Sequence, residues 1–294
     1  MTSIGLQWQS KLVLLLVLPA VAADVVLQAH WWLLADRPVA LWTLALSSLL
    51  GLAAWLSRAA TPAAAFAGFA LCAALMFATA PLPFAPWRTA LIPVVVLLLL
   101  TSLGTRLGRR RKLALGTAEN KSGRNAAQVA ANLGVAALIS IPLAQAVVLS
   151  LRWLPLANPG VLFAPGVAAL SEAAADTLSS ELGQLFSAQP RMLTTLRAAP
   201  PGTDGAISLG GTLVGAFAAV LVATAGTLAL GGSTLLLILS VSGALFGLFF
   251  DSLLGATLER RGWLNNDGVN FLSTLAAALF ALVAAGLWPH STLR

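Results

Sequence analysis

Charge is scarce in this chain, and acid is scarcest: Asp and Glu together number 10 in 294 residues, and all charged residues make up 9%. Soluble domains carry about 25% charged residues. The deficit, with 59% apolar residues and a mean hydropathy of +0.89, excludes a water-exposed globular fold and points to a polytopic membrane protein. Cysteine is limited to Cys72, which lies in an apolar run, so an intrachain disulfide is excluded. The two histidines, His30 and His290, stand at opposite ends of the chain beside tryptophan or proline. They read as interfacial side chains and argue against a zinc site of the usual Cys/His kind. No G-x-x-x-x-G-K-[ST] string occurs, which excludes a P-loop.

What is present is hydrocarbon in long runs. Stretches near 11–30, 38–57, 62–80, 87–103, 125–150, 160–182, 206–230, 232–256 and 269–288 approach the roughly 20 residues a bilayer crossing needs. They predict an all-α helical bundle of about nine spans. The fourth is the shortest, the sixth is weakened by acids, and only Gly231-Gly232-Ser233 separates the seventh from the eighth. Lys11 followed by Leu12 to Ala23 resembles the apolar part of a secretory signal, but the run continues to Ala29 without a polar cleavage region. An uncleaved first span is expected.

A formal charge of +7 and a pI near 11.3 would suggest nucleic acid in a soluble protein. Here the apolar runs exclude that partner, and the basic residues read as cytoplasmic loops facing anionic headgroups. Seven Lys or Arg between 104 and 124 mark that loop as cytoplasmic. Threading from it places 13 of the 17 basic residues on the same side, with Arg37, Arg88, Arg152 and Arg294 outside. The amino terminus is then cytoplasmic, the carboxyl terminus external, and the loops 104–124, 183–205 and 257–268 share the cytoplasmic face. Residues 1–103 form a four-span region for packing and lipid contact, with Asp24 its one embedded acid. Residues 104–294 form the five-span functional region. The expected location is a bacterial-type cell inner membrane.

Against this background a few polar side chains stand out: Glu172, Asp176, Glu181, Asp251, Asn125, Asn132 and Asn270 lie in or against apolar runs. A carboxylate at bilayer depth needs a partner, a cation or a polar cavity. Glu172 and Asp176 are four apart and share a helix face, with Ser179 and Ser180 one turn on. Glu181 is turned away from Asp176 by about 140° and is placed for another partner or the helix end. Such hard oxygen ligands suit Mg²⁺ held together with phosphate. Ion coupling in a transporter and salt bridges to the basic loops are the alternatives. Asp251 supplies a further acid, with Gly247 and Gly255 reducing the bulk around it. The run from Gly116 to Asn125, with Lys121 and Arg124, offers small, amide and basic groups to phosphate oxygens; headgroup contact is the alternative for Arg109 to Lys112. Asn125, Gln128 and Asn132 make a polar stripe that should face the acids. Pro200 to Gly205, with Thr203, is a lid, a phosphate-contacting loop or an ordinary connection. Asn265 to Asp267 read as a helix cap.

Several of these runs carry a resemblance. Leu115-Gly-Thr-Ala-Glu, Gly-Arg-Asn-Ala-Ala-Gln-Val-Ala-Ala-Asn132, Ala175 to Gly183, Pro200 to Gly205, Asp251 to Ala256 and Asn265 to Phe271 occur in order. They resemble the signatures of an uncharacterised integral-membrane family that includes the transmembrane protein 19 group and the plant chloroplast phytyl-phosphate kinase. More distantly, the family is similar to the CTP-dependent phytol and dolichol kinases. The resemblance implies phosphoryl transfer from a nucleoside triphosphate, CTP favoured, to an isoprenyl monophosphate at the cytoplasmic interface. On it, Asp176, Glu181 and Asp251, with Glu172 in support, would bind Mg²⁺. Asn125, Gln128, Asn132, Lys121, Thr203 and Asn270 would line the nucleotide or phosphate site, and Arg124 would neutralise phosphate. Leu178 stands where the family's aromatic is expected, a departure that bears on packing. A lipid or lipid-phosphate transporter or flippase using the same acids, or a lipid-binding scaffold, is the competing reading.

Overall fold

A computed structural model describes residues 6–115, 123–150, 159–186 and 189–288. Lys121, most of the Gly116 to Asn125 run, Arg152, His290 and Arg294 therefore lie outside the described residues. In chain order the α-helices are α1 (Trp8–Ala35), α2 (Arg37–Leu56), α3 (Pro62–Ala78), α4 (Leu91–Arg106), α5 (Arg109–Leu115), α6 (Ala126–Ser140), α7 (Pro142–Ser150), α8 (Ala164–Phe186), α9 (Leu209–Ala229), α10 (Thr234–Leu254) and α11 (Asn266–Leu287). A turn of π-helix, Gly255–Glu259, extends α10. The described strands are β1 (Arg191–Met192) and β2 (Ala206–Ile207), an antiparallel pair pairing Arg191 with Ile207.

Local chemistry sets the boundaries. Asp36 is extended (φ −155°, ψ 92°), and Pro38 then sits in the first turn of α2, where its missing N–H costs nothing. Thr61 caps α3 by accepting from Ala64 N, with Pro62 at the first helical position. At the other end of α3, Thr79 Oγ1 donates to Leu75 O (2.7 Å) and accepts from Ala90 N (2.8 Å), closing the helix on the turn before α4.

Nine spans are not what forms. Among the described residues, six helices are long and apolar enough to cross a membrane: Trp8–Ala35, Arg37–Leu56, Val161–Phe186, Leu209–Ala229, Thr234–Glu259 and Asn266–Leu287. Counting α6 and α7 as one span, despite a 58° bend, makes seven. Pro142 explains the bend: it cannot donate to the helix ladder and pushes Ile141 to an extended ψ of 134°. Helices α3 and α4 have 17 and 16 residues. At about 1.5 Å per residue they reach roughly 24–26 Å, short of a ~30 Å hydrocarbon core. Residues 79–80 and 87–90, at the ends of the two predicted runs, belong to turns and a short 3₁₀ segment, not to these helices. The threading that placed the amino terminus inside counted nine crossings, and it falls with them.

Helix α8 is the axis of the bundle. It packs against α4, α6, α9, α10 and α11, and 83% of its most apolar stretch is buried, against 28% for α1 and 22% for α2. One hydrophobic core runs through α1 to α4, α6, α8, α9 and α11, so the early and late helices share an interior. Leucines such as Leu15, Leu34, Leu209 and Leu228 are exposed on the outside, as a lipid-facing belt requires.

Glycine lets α9 lie directly on α8. A Cβ at Gly215 would stand 2.8 Å from Ala175 O, and one at Gly211 2.9 Å from Ser179 O. Gly215→Leu would force these backbones apart, at a cost of about 1–3 kcal/mol or more. Its thermal unfolding midpoint in detergent should fall clearly below that of the parent, whereas Leu213→Ala on the exposed face should leave it nearly unchanged.

Candidate functional site

The polar residues of the later helices converge on a cleft of about 230 Å³ at one end of the bundle. Helix α8 brings Asp176, Ser179, Ser180 and Glu181 to it, and the end of α10 brings Asp251, Ser252 and Glu259. Asp176 and Asp251 interact directly, and Glu172 acts on both. Glu172 does not line the cleft; it is 1% exposed and sits one turn deeper. Among the described residues, Glu172 Oε1 and Asp251 Oδ2 are buried without a hydrogen-bond partner. The Ser273 hydroxyl of α11 is beside both acids and donates to Asn270 O (3.1 Å). Helix α10 can cross here because residue 247 is glycine: a Cβ would meet Glu172 Cγ at 2.6 Å and Ser273 O at 2.8 Å. Carboxylates gathered away from water repel one another and call for a cation or a proton between them.

The opposite charge enters from α6. Arg124 lines the cleft, and its charge acts on Asp176. Its backbone is pinned to the turn between α2 and α3, with Arg124 N donating to Ala59 O (3.0 Å) and Thr61 N donating to Arg124 O (3.0 Å). Gly123 makes this approach possible: its φ is +76°, and a Cβ would lie 2.6 Å from Arg58 O. Gln128 and Asn132 follow along the same wall, and Asn132 Nδ2 donates to Gln128 O (2.8 Å). Asn125 is differently occupied. Its Oδ1 accepts from Ala127 N (2.8 Å) and Gln128 N (3.0 Å), while Gln128 Oε1 accepts from Asn125 N (2.8 Å). This is a capping box, and it holds Asn125 to the helix end.

A loop covers the cleft. Pro201 to Ser208 line it, held by the β1–β2 pair and by Thr203 Oγ1 donating to Pro200 O (2.8 Å). Gly205, at φ +73°, lies so close to the π-helical turn that a Cβ would be 2.1 Å from Ala256 N. A Cβ at Gly255 would meet Gly205 N at 2.8 Å. Gly255 thus admits the loop to the end of α10. From α11, Asn266 and Asn270 complete the wall.

The helix directions divide the cleft electrically. Helices α6, α9 and α11 begin at it, and α8 and α10 end at it. Helix N-termini favour anions and C-termini favour cations. Asp176, Glu181, Asp251 and Glu259 sit on or just after the two helices that end there, and Arg124, Gln128, Asn132, Asn266 and Asn270 on or before helices that begin there; Asp204, before α9, and Gln184, on α8, depart from this division. Such a cleft accommodates a cation and an anion side by side.

The chain matches the family described as integral membrane protein DUF92 over residues 45–278. It belongs to that family. It is 38% identical over 117 residues to an uncharacterized membrane protein of Methanocaldococcus jannaschii, covering 40% of this chain and 49% of the relative. An uncharacterized membrane protein of Synechocystis is 33% identical over 202 residues, 67% of this chain and 73% of the relative. Protein VTE6, chloroplastic, of Arabidopsis thaliana is 29% identical over 187 residues, 61% of this chain and 53% of the relative. The chain thus spans about half the length of the archaeal and plant relatives. No solved structure matches it. DUF92 relatives in archaea, cyanobacteria and chloroplasts place the family in membranes generally, and do not single out a bacterial inner membrane.

Of the residues singled out in the DUF92 sequence, Asp176, Asp251, Glu181, Arg124, Gln128, Asn132, Thr203 and Asn270 line one cleft, while Glu172 lies beneath it and Asn125 caps α6. Leu178 is buried against α4, with Gly104 making room for it. Asp204, Glu259 and Asn266 line the cleft without having been singled out as site residues. Glu259 was findable, since it follows Asp251 by eight residues, a same-face spacing on a helix. Among the described residues, no group of three or more His, Cys, Asp or Glu side chains is arranged to hold a metal ion. Glu181 explains part of this: Lys112 Nζ of α5 donates to Glu181 Oε2 and also to Gly104 O (2.6 Å), and Lys112 is 1% exposed.

Removing one member of a buried pair strands the other, at about 3–5 kcal/mol. Lys112→Met should therefore lower the unfolding midpoint in detergent sharply. Lys112→Met combined with Glu181→Gln should recover most of the loss, and a double-mutant cycle on the midpoints measures the coupling.

Proposed function

We propose that this protein is a Mg²⁺-dependent phosphotransferase acting on a lipid phosphate, with an isoprenyl monophosphate as acceptor and a nucleoside triphosphate, CTP favoured, as donor. The observation that carries the reading is the split cleft: Asp176 and Asp251 on helices that end there face Arg124 and the starts of α6, α9 and α11. Phosphoryl transfer asks a protein mainly for positioning and charge neutralisation. The substrate class rests on the resemblance of the ordered motifs to the family that includes the plant phytyl-phosphate kinase.

The residues fit such a metal. Mg²⁺ is usually held by one or two carboxylates and completes its shell with water and phosphate oxygens. Asp176 and Asp251, with one Asp251 oxygen buried and unpartnered, form such a pair, and a third protein ligand is not required. When bound, the ion would offset charge on the phosphoryl oxygens. Arg124 would bind a phosphate from the other side, as a fixed cation mounted on the α2–α3 turn. Gln128, Asn132 and Asn270 would orient phosphate or nucleotide groups. The loop 200–208 would keep water from the transferred group, its closeness to the π-helical turn set by Gly205 and Gly255. Glu181 holds Lys112 and would shape the rim.

The test is turnover of the purified full chain in detergent with Mg²⁺, each nucleoside triphosphate, and a panel of isoprenols and isoprenyl monophosphates. Diphosphate formation from a monophosphate is the expected result. Asp176→Asn and Asp251→Asn should each reduce it by about 10²–10³-fold, the scale for losing one preorganised charge-stabilising group, with elution profile and unfolding midpoint retained. No turnover with any donor and acceptor would overturn the proposal, and lipid-phosphate binding without nucleotide use would turn the reading to transport.

A further inference from the structure

A second cavity, of about 790 Å³, lies among the early helices. It runs between the end of α2 and the start of α3 on one side and α4 on the other, over the first half of α6. The packing explains it. Helix α2 packs on α1 and α3, whereas α4 packs on α8 and α9, so α2 and α4 are held apart. Small residues, Gly51, Ala54, Ala64, Ala65 and Gly68, line the gap and leave it unfilled. The lining extends from Ala60 to Cys72 and from Val94 to Arg106, a rise of about 18 Å on each side.

Charge in this groove is confined to one end. Arg58, Arg106, Arg109 and Arg124 line it there, at the end of α2, the end of α4, the start of α5 and the approach to α6. The far end is aliphatic, around Leu50, Cys72, Val94 and Leu97. Arg124 and Asn132 line both this groove and the carboxylate cleft, so the two cavities meet at the groove's cationic end. An apolar trough of this size, within the ~300–1,000 Å³ of small-molecule sites, closed by a cluster of cations, is complementary to an amphiphile with one chain and an anionic head.

We infer that the groove seats the hydrocarbon chain of a single-chain isoprenyl phosphate, with its phosphate at Arg124 and Asn132, facing Asp176 and Asp251. The chemistry at the head rests on the phosphotransferase reading; the seat of the chain does not require that transfer occur. The site then selects its lipid by the fit of one chain between α3 and α4 and by the phosphate at the junction. The early helices would thereby form part of the substrate site.

Gly68 gives a clean probe. A Cβ there would meet only Val129 Cγ1, at 3.9 Å, so a side chain enters the groove without displacing backbone. Gly68→Leu should also favour the helical state of α3. Binding of a radiolabelled twenty-carbon isoprenyl monophosphate to the full chain in detergent, with no nucleotide present, should weaken about tenfold in Gly68→Leu, the loss of about two buried methylenes. A five-carbon isoprenyl monophosphate should bind parent and variant alike. Unchanged affinity for the long chain would overturn the inference. So would equally effective displacement by phosphatidic acid, which would mark a general phospholipid site. Should Gly68→Leu fail to fold, a diazirine at the far end of the chain gives a second test on the parent. Labels near Cys72 and Val94 support the seat, and labels confined to α9, α10 or α11 overturn it. Groove binding without phosphoryl transfer sinks only the phosphotransferase reading, and transfer without a groove effect sinks only the seat.

Discussion

Carboxylates held at the centre of an apolar bundle are the constraint that the rest of this molecule answers. Burial of an ionised side chain is tolerated only where a partner, a cation or a polar cavity receives it. Around α8, Glu172 rests beside the Ser273 hydroxyl, and the other acids meet that condition differently. Glu181 has Lys112, Asp176 has the field of Arg124, and Asp251 has the cleft and the Ser273 hydroxyl. Glycine at 247, 255, 205 and 123 then lets backbones come close enough to frame the cleft with so few polar side chains.

Helix direction does as much as side-chain identity. Three helices start at the cleft and two end there, and their ordinary caps keep these ends in place. Asn125 with Gln128, Ser208 and Asn265 each accept from backbone N–H groups that would otherwise be orphaned. At the same end, Ser10 of α1 donates to Asp267 Oδ2 (2.5 Å) and accepts from Asn265 Nδ2 (2.8 Å), joining the first helix to the last. A polar latch inside a hydrocarbon bundle has direction, which oily packing lacks, and it fixes α11 against α1.

How much of this could be read from the chain depended on the kind of signal. Asp176, Asp251 and Arg124 stood out because charge is rare here, and the fold brings all three to one cleft. Hydropathy could not see helix ends, so the turns around Thr79 and Pro86 were counted into spans and the break at Pro142 was missed. Asn125 was ambiguous for a chemical reason: an amide before a helix caps it through its oxygen or binds phosphate through its N–H₂ group. Asp204 escaped because it sits at the edge of a run, where an acid is unremarked, and the folded loop brings it inward; Glu259 lies past the apolar run, with its spacing from Asp251 as its signal. The groove had no sequence signal, since Gly and Ala that leave a gap look the same as Gly and Ala that close one.

The mounting of Arg124 has a mechanical meaning. Its backbone is fastened to the α2–α3 turn and its charge faces α8, so the positive and negative halves of the cleft ride on different parts of the bundle. The α2–α3 hairpin includes a helix of 17 residues, shorter than a hydrocarbon core, and a span of that kind is met by thinning of the bilayer around it, not by tilt. The guanidinium is thus mounted beside α2, the least buried of the long apolar helices, and Asp176 on α8, the most buried of them.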